Sequence, residues 1–235
     1  MAFGFGFGQF GFGTRQGGAS AASFYGVQLS LSSHYLVAAN QASINVTGDF
    51  TAIVWFDSDV VYAERFYPVL LFKGTSTTSY GIQHHDYSED GLFSILDASS
   101  SRTIVKPNAP AILCADQIGP NIFGVGRAGA TQYLYFNGTR YEDTGTAADL
   151  TNTEPLIIGN YSTAEDSGGL APGVVRRVAL YNRALSAAEA GGFDVTVPAS
   201  GRVAYWPFTE GTGSTVADVD GGADFTIAGG DWVTF

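Results

Sequence analysis

At 235 residues, 45% of them hydrophobic and including 17 Phe and 12 Tyr, the chain has the material for one large core, a length that a single all-β domain commonly reaches. A net charge of −11, with Lys73 and Lys106 as the sole lysines, argues against nucleic acid, whose affinity for proteins rests on phosphate contacts, and against anionic lipid; no run approaches the roughly 18 apolar residues that cross a membrane. Cys114 is the single cysteine, which excludes an internal disulfide framework and a cysteine-based zinc site.

The first 13 residues, Met1 to Gly13, alternate Phe and Gly almost strictly. If extended, Phe3, Phe5 and Phe7 share one face, and Gln9 shifts Phe10 and Phe12 to the other. Burying each ring is worth about 1.5–3 kcal/mol, while ordering the glycines carries the largest backbone entropy cost. Such a segment needs a preformed apolar groove. A signal peptide fits poorly, since no basic start precedes the apolar positions and glycine interrupts each of them. A disordered tail is the plainer alternative. The expectation is an arm, residues 1–18, that docks into an assembly through Phe3, Phe5, Phe7, Phe10 and Phe12. Small residues 14–23 then form a linker, so the chain divides into an arm and linker, 1–23, and a domain, 24–235.

From Phe24 onward short apolar runs alternate with turn clusters, the pattern of a β-sandwich. Strands are expected at 24–31, 34–38, 50–56, 69–74, 80–83, 91–96 and 121–126. Thr131 to Tyr141 reads as a hairpin about Asn137-Gly138, the pair a type I′ turn requires because both central residues need positive φ. Val174 to Tyr181 reads as a strand leading into one short helix, capped by Ser186 with Glu189 three residues on and stopped at Gly191-Gly192. Phe225 to Phe235 is expected as one final strand.

The run Tyr181-Asn182-Arg183-Ala184-Leu185-Ser186 with Ala188-Glu189 resembles the laminin-G-like branch of the concanavalin A-like lectin/glucanase superfamily. So do Phe50-Thr51 with Trp55, Lys73-Gly74 at a strand end, and Leu134-Tyr135-Phe136-Asn137-Gly138. The resemblance covers about residues 24–193 and implies a jelly-roll sandwich with Trp55 in its core. It extends to Tyr205-Trp206 and Glu210-Gly211-Thr212-Gly213. Relatives carry a Trp-His-His strand where this chain has Asn121 to Gly126, and Asp-Glu where it has Arg176-Arg177.

Laminarinase-like members place paired carboxylates as Glu-x-Asp-x-x-Glu on one strand; this chain has no such spacing, so it is expected not to be an enzyme. Asp57-Ser58-Asp59 and Asp218-Val219-Asp220 read as solvated turn carboxylates. The richest polar cluster is His84-His85-Asp86-Tyr87-Ser88-Glu89-Asp90. There His84, Asp86, Tyr87, Glu89 and Asp90 could hold calcium through oxygens, or a sugar stacked on Tyr87, although a charged hairpin loop is the simpler reading. Arg176 and Arg177 form a basic spot suited to an acidic neighbouring subunit, with two solvated arginines as the alternative. No cofactor is called for, and three Asn-x-Ser/Thr sequons, at Asn45, Asn137 and Asn160, read as turn chemistry.

A Phe-Gly arm before a lectin-type domain resembles virion structural proteins of tailed bacteriophages. That resemblance implies a non-enzymatic head-decoration or tail component on the particle surface, a homo-oligomer held to other virion proteins by residues 1–18. The alternative is a carbohydrate-binding module of a bacterial surface or secreted protein. Glycan binding separates the two: the module reading expects the domain to bind host glycans without its arm, and the structural reading expects no specific glycan.

Overall fold

The computed structural model describes residues 24–31, 33–58, 69–75, 77–85, 91–98, 101–106, 119–147, 149–163, 172–191 and 196–235. These residues form two antiparallel sheets laid face to face. The first runs in the order β10 (Thr139–Thr144), β9 (Thr131–Phe136), β8 (Gly119–Ala128), β3 (Phe50–Ser58), β12 (Gly173–Tyr181), β1 (Tyr25–Leu29), β16 (Asp231–Thr234), with β13 (Arg202–Trp206) also paired to β12. The second runs β14 (Thr215–Val216), β15 (Phe225–Ala228), β2 (Tyr35–Ala38), β11 (Leu156–Ile158), β4 (Val69–Gly74), β5 (Thr78–His85), β6 (Gly91–Ala98), β7 (Ser101–Val105). The fold is a jelly-roll sandwich.

Strand alternation decides what enters the core. Along β3, Phe50, Ala52, Val54 and Phe56 point between the sheets, where they meet Val125, Leu180, Tyr80 and Trp206. The intervening Ile53 and Trp55 join a second apolar cluster with Tyr135, Tyr181 and Leu185 on the outer side of the first sheet. Trp55 is therefore buried, but outside the space between the sheets; the indole in the main core is Trp206.

Sequence and structure part company at the C-terminal end. The single final strand expected over 225–235 is two strands, β15 in the second sheet beside β2 and β16 in the first beside β1. Gly229, at φ +73°, makes the break, and a side chain there would collide with the His34 ring. Strands β1 and β2 change sheets at the same level, so a paired ribbon wraps the corner of the sandwich. The helix expected after Ser186 is a single turn, closed by one bond from the Ala190 N–H to the Ser186 carbonyl.

Lys73 is fully buried, and its ammonium donates to Asn40 Oδ1 (3.1 Å), Asn152 Oδ1 (2.9 Å), Asn152 O (3.3 Å) and Glu154 O (2.8 Å). It ties two loops to the end of β4. Burial outweighs the attraction of Glu154 and pushes its pKa down to about 8. A folded pKa below the free-lysine value of roughly 10.4 means the unfolded chain binds the extra proton between those limits. Stability gained from this group should therefore rise with pH from about 8 to 10.4. Measured as the difference in melting temperature between wild type and Lys73→Met, the gap should widen across pH 8–10; a flat difference would exclude the shift.

Candidate functional site

Two features stand out among the described residues: a cleft at one end of the sandwich and a ring-and-guanidinium surface on the outer side of the first sheet. The cleft has a volume of about 230 Å3 and lies between residues 42–50, the end of β12 at Leu180–Asn182, and Val203. Its apolar floor comes from Val46, Phe50, Leu180 and Val203, and its polar rim from Ser43, Asn45, Thr47, Asp49 and Asn182. A short 3-10 turn at Ala42–Ile44 starts the wall, and the buried Tyr80 hydroxyl fixes it by donating to the Ile44 carbonyl at 3.1 Å. The Ser43 hydroxyl is buried and makes no hydrogen bond. Asp49 braces the far side by accepting the Gly129 N–H at 2.7 Å.

The outer surface is built on glycine. A side chain at Gly126 would meet the Phe50 carbonyl and the Tyr135 ring at 2.8 and 3.1 Å, so its absence lets Tyr135 lie across β8. The Tyr135 hydroxyl then donates to the Leu185 carbonyl at 2.8 Å, and burial pushes its pKa up to about 12. Thr51 pins the same segment, donating to Arg183 O and accepting from Leu185 N, both at 3.0 Å. The capping box forms as the sequence suggests. Glu189 accepts from Ser186 N at 2.9 Å and the Ser186 hydroxyl accepts from Glu189 N at 3.2 Å. The Arg183 guanidinium, bonded to Glu189, and then the Ser186 N–H hold that carboxyl down to about 2.

Around this segment guanidinium groups stack on aromatic rings, Arg140 on Tyr133 at 4.3 Å, Arg202 on Tyr205 at 4.4 Å and Arg176 on Phe235 at 3.5 Å. Most of these charges are already paired: Arg176 with Asp57, Arg183 with Glu189 and Arg202 with Asp220. Arg176 and Arg177 occupy a β-bulge, since β3 pairs Phe56 with Val175 and Trp55 with Arg177. The inserted residue puts both side chains on the outer surface, which simple alternation would not. Arg176 is thereby committed to Asp57 and Phe235, and Arg177 lies near Tyr205 without an ion pair among the described residues.

Other candidates are distributed differently. His84 is the last residue but one of β5, opposite Leu92, and Asp86, Tyr87, Glu89 and Asp90 fall outside the described residues, as do Cys114 and the arm residues Phe3, Phe5, Phe7, Phe10 and Phe12. Asp218, read as a solvated turn carboxylate, is 7% exposed and accepts three backbone N–H groups. Asp57 is likewise part-buried against Arg176. Among the described residues no group of three His, Cys, Asp or Glu side chains could hold a metal ion, and no helix is long and apolar enough to cross a membrane. Sequence reading passed over the cleft because its walls come from three separate segments; only the Asn45–Asp49 turn was visible in advance.

Residues 31–191 match a laminin-G-type family model, described as the concanavalin A-like lectin/glucanases superfamily. No curated protein matches the chain. Among solved structures, a Bacteroides ovatus protein provisionally assigned to carbohydrate binding is similar at TM-score 0.63 and 13% identity, over 92% of this chain and 61% of that one. A heptameric pentraxin from Limulus polyphemus is similar at TM-score 0.54 and 11% identity, over 89% and 97%. The enzymatically active domain of bacteriophage CBA120 tailspike protein 2 is similar at TM-score 0.53 and 12% identity, over 85% of this chain and 35% of that one. The chain thus spans about three fifths of the first of these and a third of the last, and at such identities the likeness is one of fold. With the family model covering most of a two-sheet, wholly antiparallel sandwich, the chain belongs to the concanavalin A-like lectin/glucanases superfamily.

Proposed function

We propose that this chain is a non-catalytic structural and attachment protein of a phage particle, seated by residues 1–18 and presenting its lectin-like sandwich to host glycans. The observation that carries this reading is the route of the chain into β1. Strands β1 and β13 share one lane beside β12, with Leu29 to Val27 opposite 173–175 and Trp206 to Arg202 opposite 178–181. The lane beside β12 ahead of Tyr25 is filled by β13, so β1 cannot lengthen toward its N-terminus along β12. On this reading the segment before Phe24 serves as the arm that engages another molecule. The cleft supplies the second half of the reading. An apolar floor of Phe50, Leu180 and Val203 under a rim of hydroxyl, amide and carboxylate groups suits a sugar ring and its hydroxyls. A similar sandwich within a phage tailspike agrees with display on a particle.

Two measurements on the full chain test this. Antibodies raised against the protein should label purified phage particles in electron micrographs; label confined to bacterial surfaces would move the chain to the carbohydrate-binding module reading. On a glycan array the full chain should give specific hits that weaken at least tenfold in Thr47→Ala/Asn182→Ala, without releasing reducing sugar. Hits unchanged by that pair would remove the cleft from the proposal.

A further inference from the structure

We propose that the open side of β16 receives residues 3–7 of a second copy of this chain, joining neighbouring copies arm to border. This rests on the arm acting as an anchor and names the partner it engages.

The two borders of the first sheet differ. Strand β10 carries Arg140, Glu142 and Asp143 and is exposed along most of its length, which discourages pairing. Strand β16, Asp231-Trp232-Val233-Thr234, has no Lys, no Pro and no bulge in its register with β1. The Phe235 N–H donates to the Phe24 carbonyl at 2.9 Å. Antiparallel alternation then makes Gly26–Val233 the next bonded pair and turns the backbone groups of Trp232 and Thr234 away from β1. Among the described residues no strand lies beyond them. Beside this open ladder lie Phe24, 60% exposed, and Phe235, 48% exposed.

The Phe-Gly segment is chemically matched to such a border. In an extended strand Phe3, Phe5 and Phe7 stand about 6.6 Å apart on one face, and the glycines leave the other face bare. Paired with β16, the rings would cover Val233 and Phe235 in cross-strand contacts, and the backbone would satisfy Trp232 and Thr234.

Connectivity favours a second copy over the chain's own arm. Tyr25 sits opposite Thr234, so an arm leading into β1 must finish level with the end of β16. Lying directly alongside it would run parallel to β16, the slightly less stable pairing, and an antiparallel course would require the linker to double back along the strand. An arm from another molecule is free to run antiparallel. Ten residues of linker, 14–23, reach at most about 33 Å, ample to bridge neighbours. The contact is head-to-tail, so it builds rings or open rows.

The test uses the full chain. Sedimentation velocity should show concentration-dependent oligomers, with slowed hydrogen exchange at the Trp232 and Thr234 amides that grows with concentration. Thr234→Pro removes an outward-facing N–H and no hydrogen bond to β1, and the triple variant Phe3→Ser/Phe5→Ser/Phe7→Ser removes the rings. Each should weaken association at least tenfold while leaving the thermal midpoint near that of wild type. Mixed together, one variant supplies the border and the other the arm, so assembly should stop at dimers. A monomeric wild type would overturn the proposal, as would protection independent of concentration, which would place the arm on its own β16. Oligomers untouched by both variants would also overturn it. Particle labelling that persists with a monomeric chain would leave the attachment reading standing and assign the arm to another virion protein.

Discussion

Replacing Trp206 with alanine should lower stability by about 3–5 kcal/mol, the range for deleting a buried aromatic side chain. Trp206 is fully buried at the end of β13, and its ring lies 4.4 Å from that of Phe225 in the opposite sheet. The indole N–H donates to the Ala223 carbonyl at 2.9 Å, so alanine would leave both a large void and an unanswered acceptor. Urea denaturation followed by circular dichroism should show a reduced midpoint at an unchanged slope. Trp206→Phe should recover part of the loss, since it refills much of the volume without the donor. A cost below about 1 kcal/mol would mean that 202–206 is not integral to the core, although it is paired to β12.

The second large effect is expected at Asp218. Its carboxylate accepts the N–H groups of Tyr205 (2.8 Å), Asp220 (3.0 Å) and Gly222 (2.9 Å) while almost wholly shielded from water. Alanine would orphan three donors at once, and leaving a buried donor unsatisfied costs about 1–3 kcal/mol. Partial rehydration of the loop limits the total to about 2–4 kcal/mol. Asparagine keeps one accepting oxygen and should fall between wild type and alanine. Equal stability of Asp218→Ala and wild type in the same urea titration would contradict this assignment.

The sequence made some of this architecture legible and hid the rest for identifiable reasons. Signals that act over two to four residues carried through: alternation in β3, positive φ at Asn137 and Gly138, and the reciprocal bonds of Ser186 and Glu189. Features set by distant partners did not. Nothing near Val175 announces that the opposite strand will pair Trp55 with Arg177, so the bulge that turns both arginines outward was invisible. Lys73 reads as a strand-ending charge until residues 40, 152 and 154 close around it. Asp218 reads as a solvated turn residue because its most distant donor, Tyr205, comes from a separate strand. The cleft is the extreme case, with walls that meet only when the sandwich closes.

The corner ribbon has a consequence for synthesis. Strand β1 is among the first parts of the domain to leave the ribosome, yet its neighbours are residues 173–175 and 231–234. It must wait, with Val27 and Leu29 uncovered, until residues 231–234 have been translated. Closing loops of such length before any contact rewards them makes folding slow. Nascent chains stalled before residue 231 should therefore bind chaperones and remain sensitive to protease, whereas the released 235-residue chain should not.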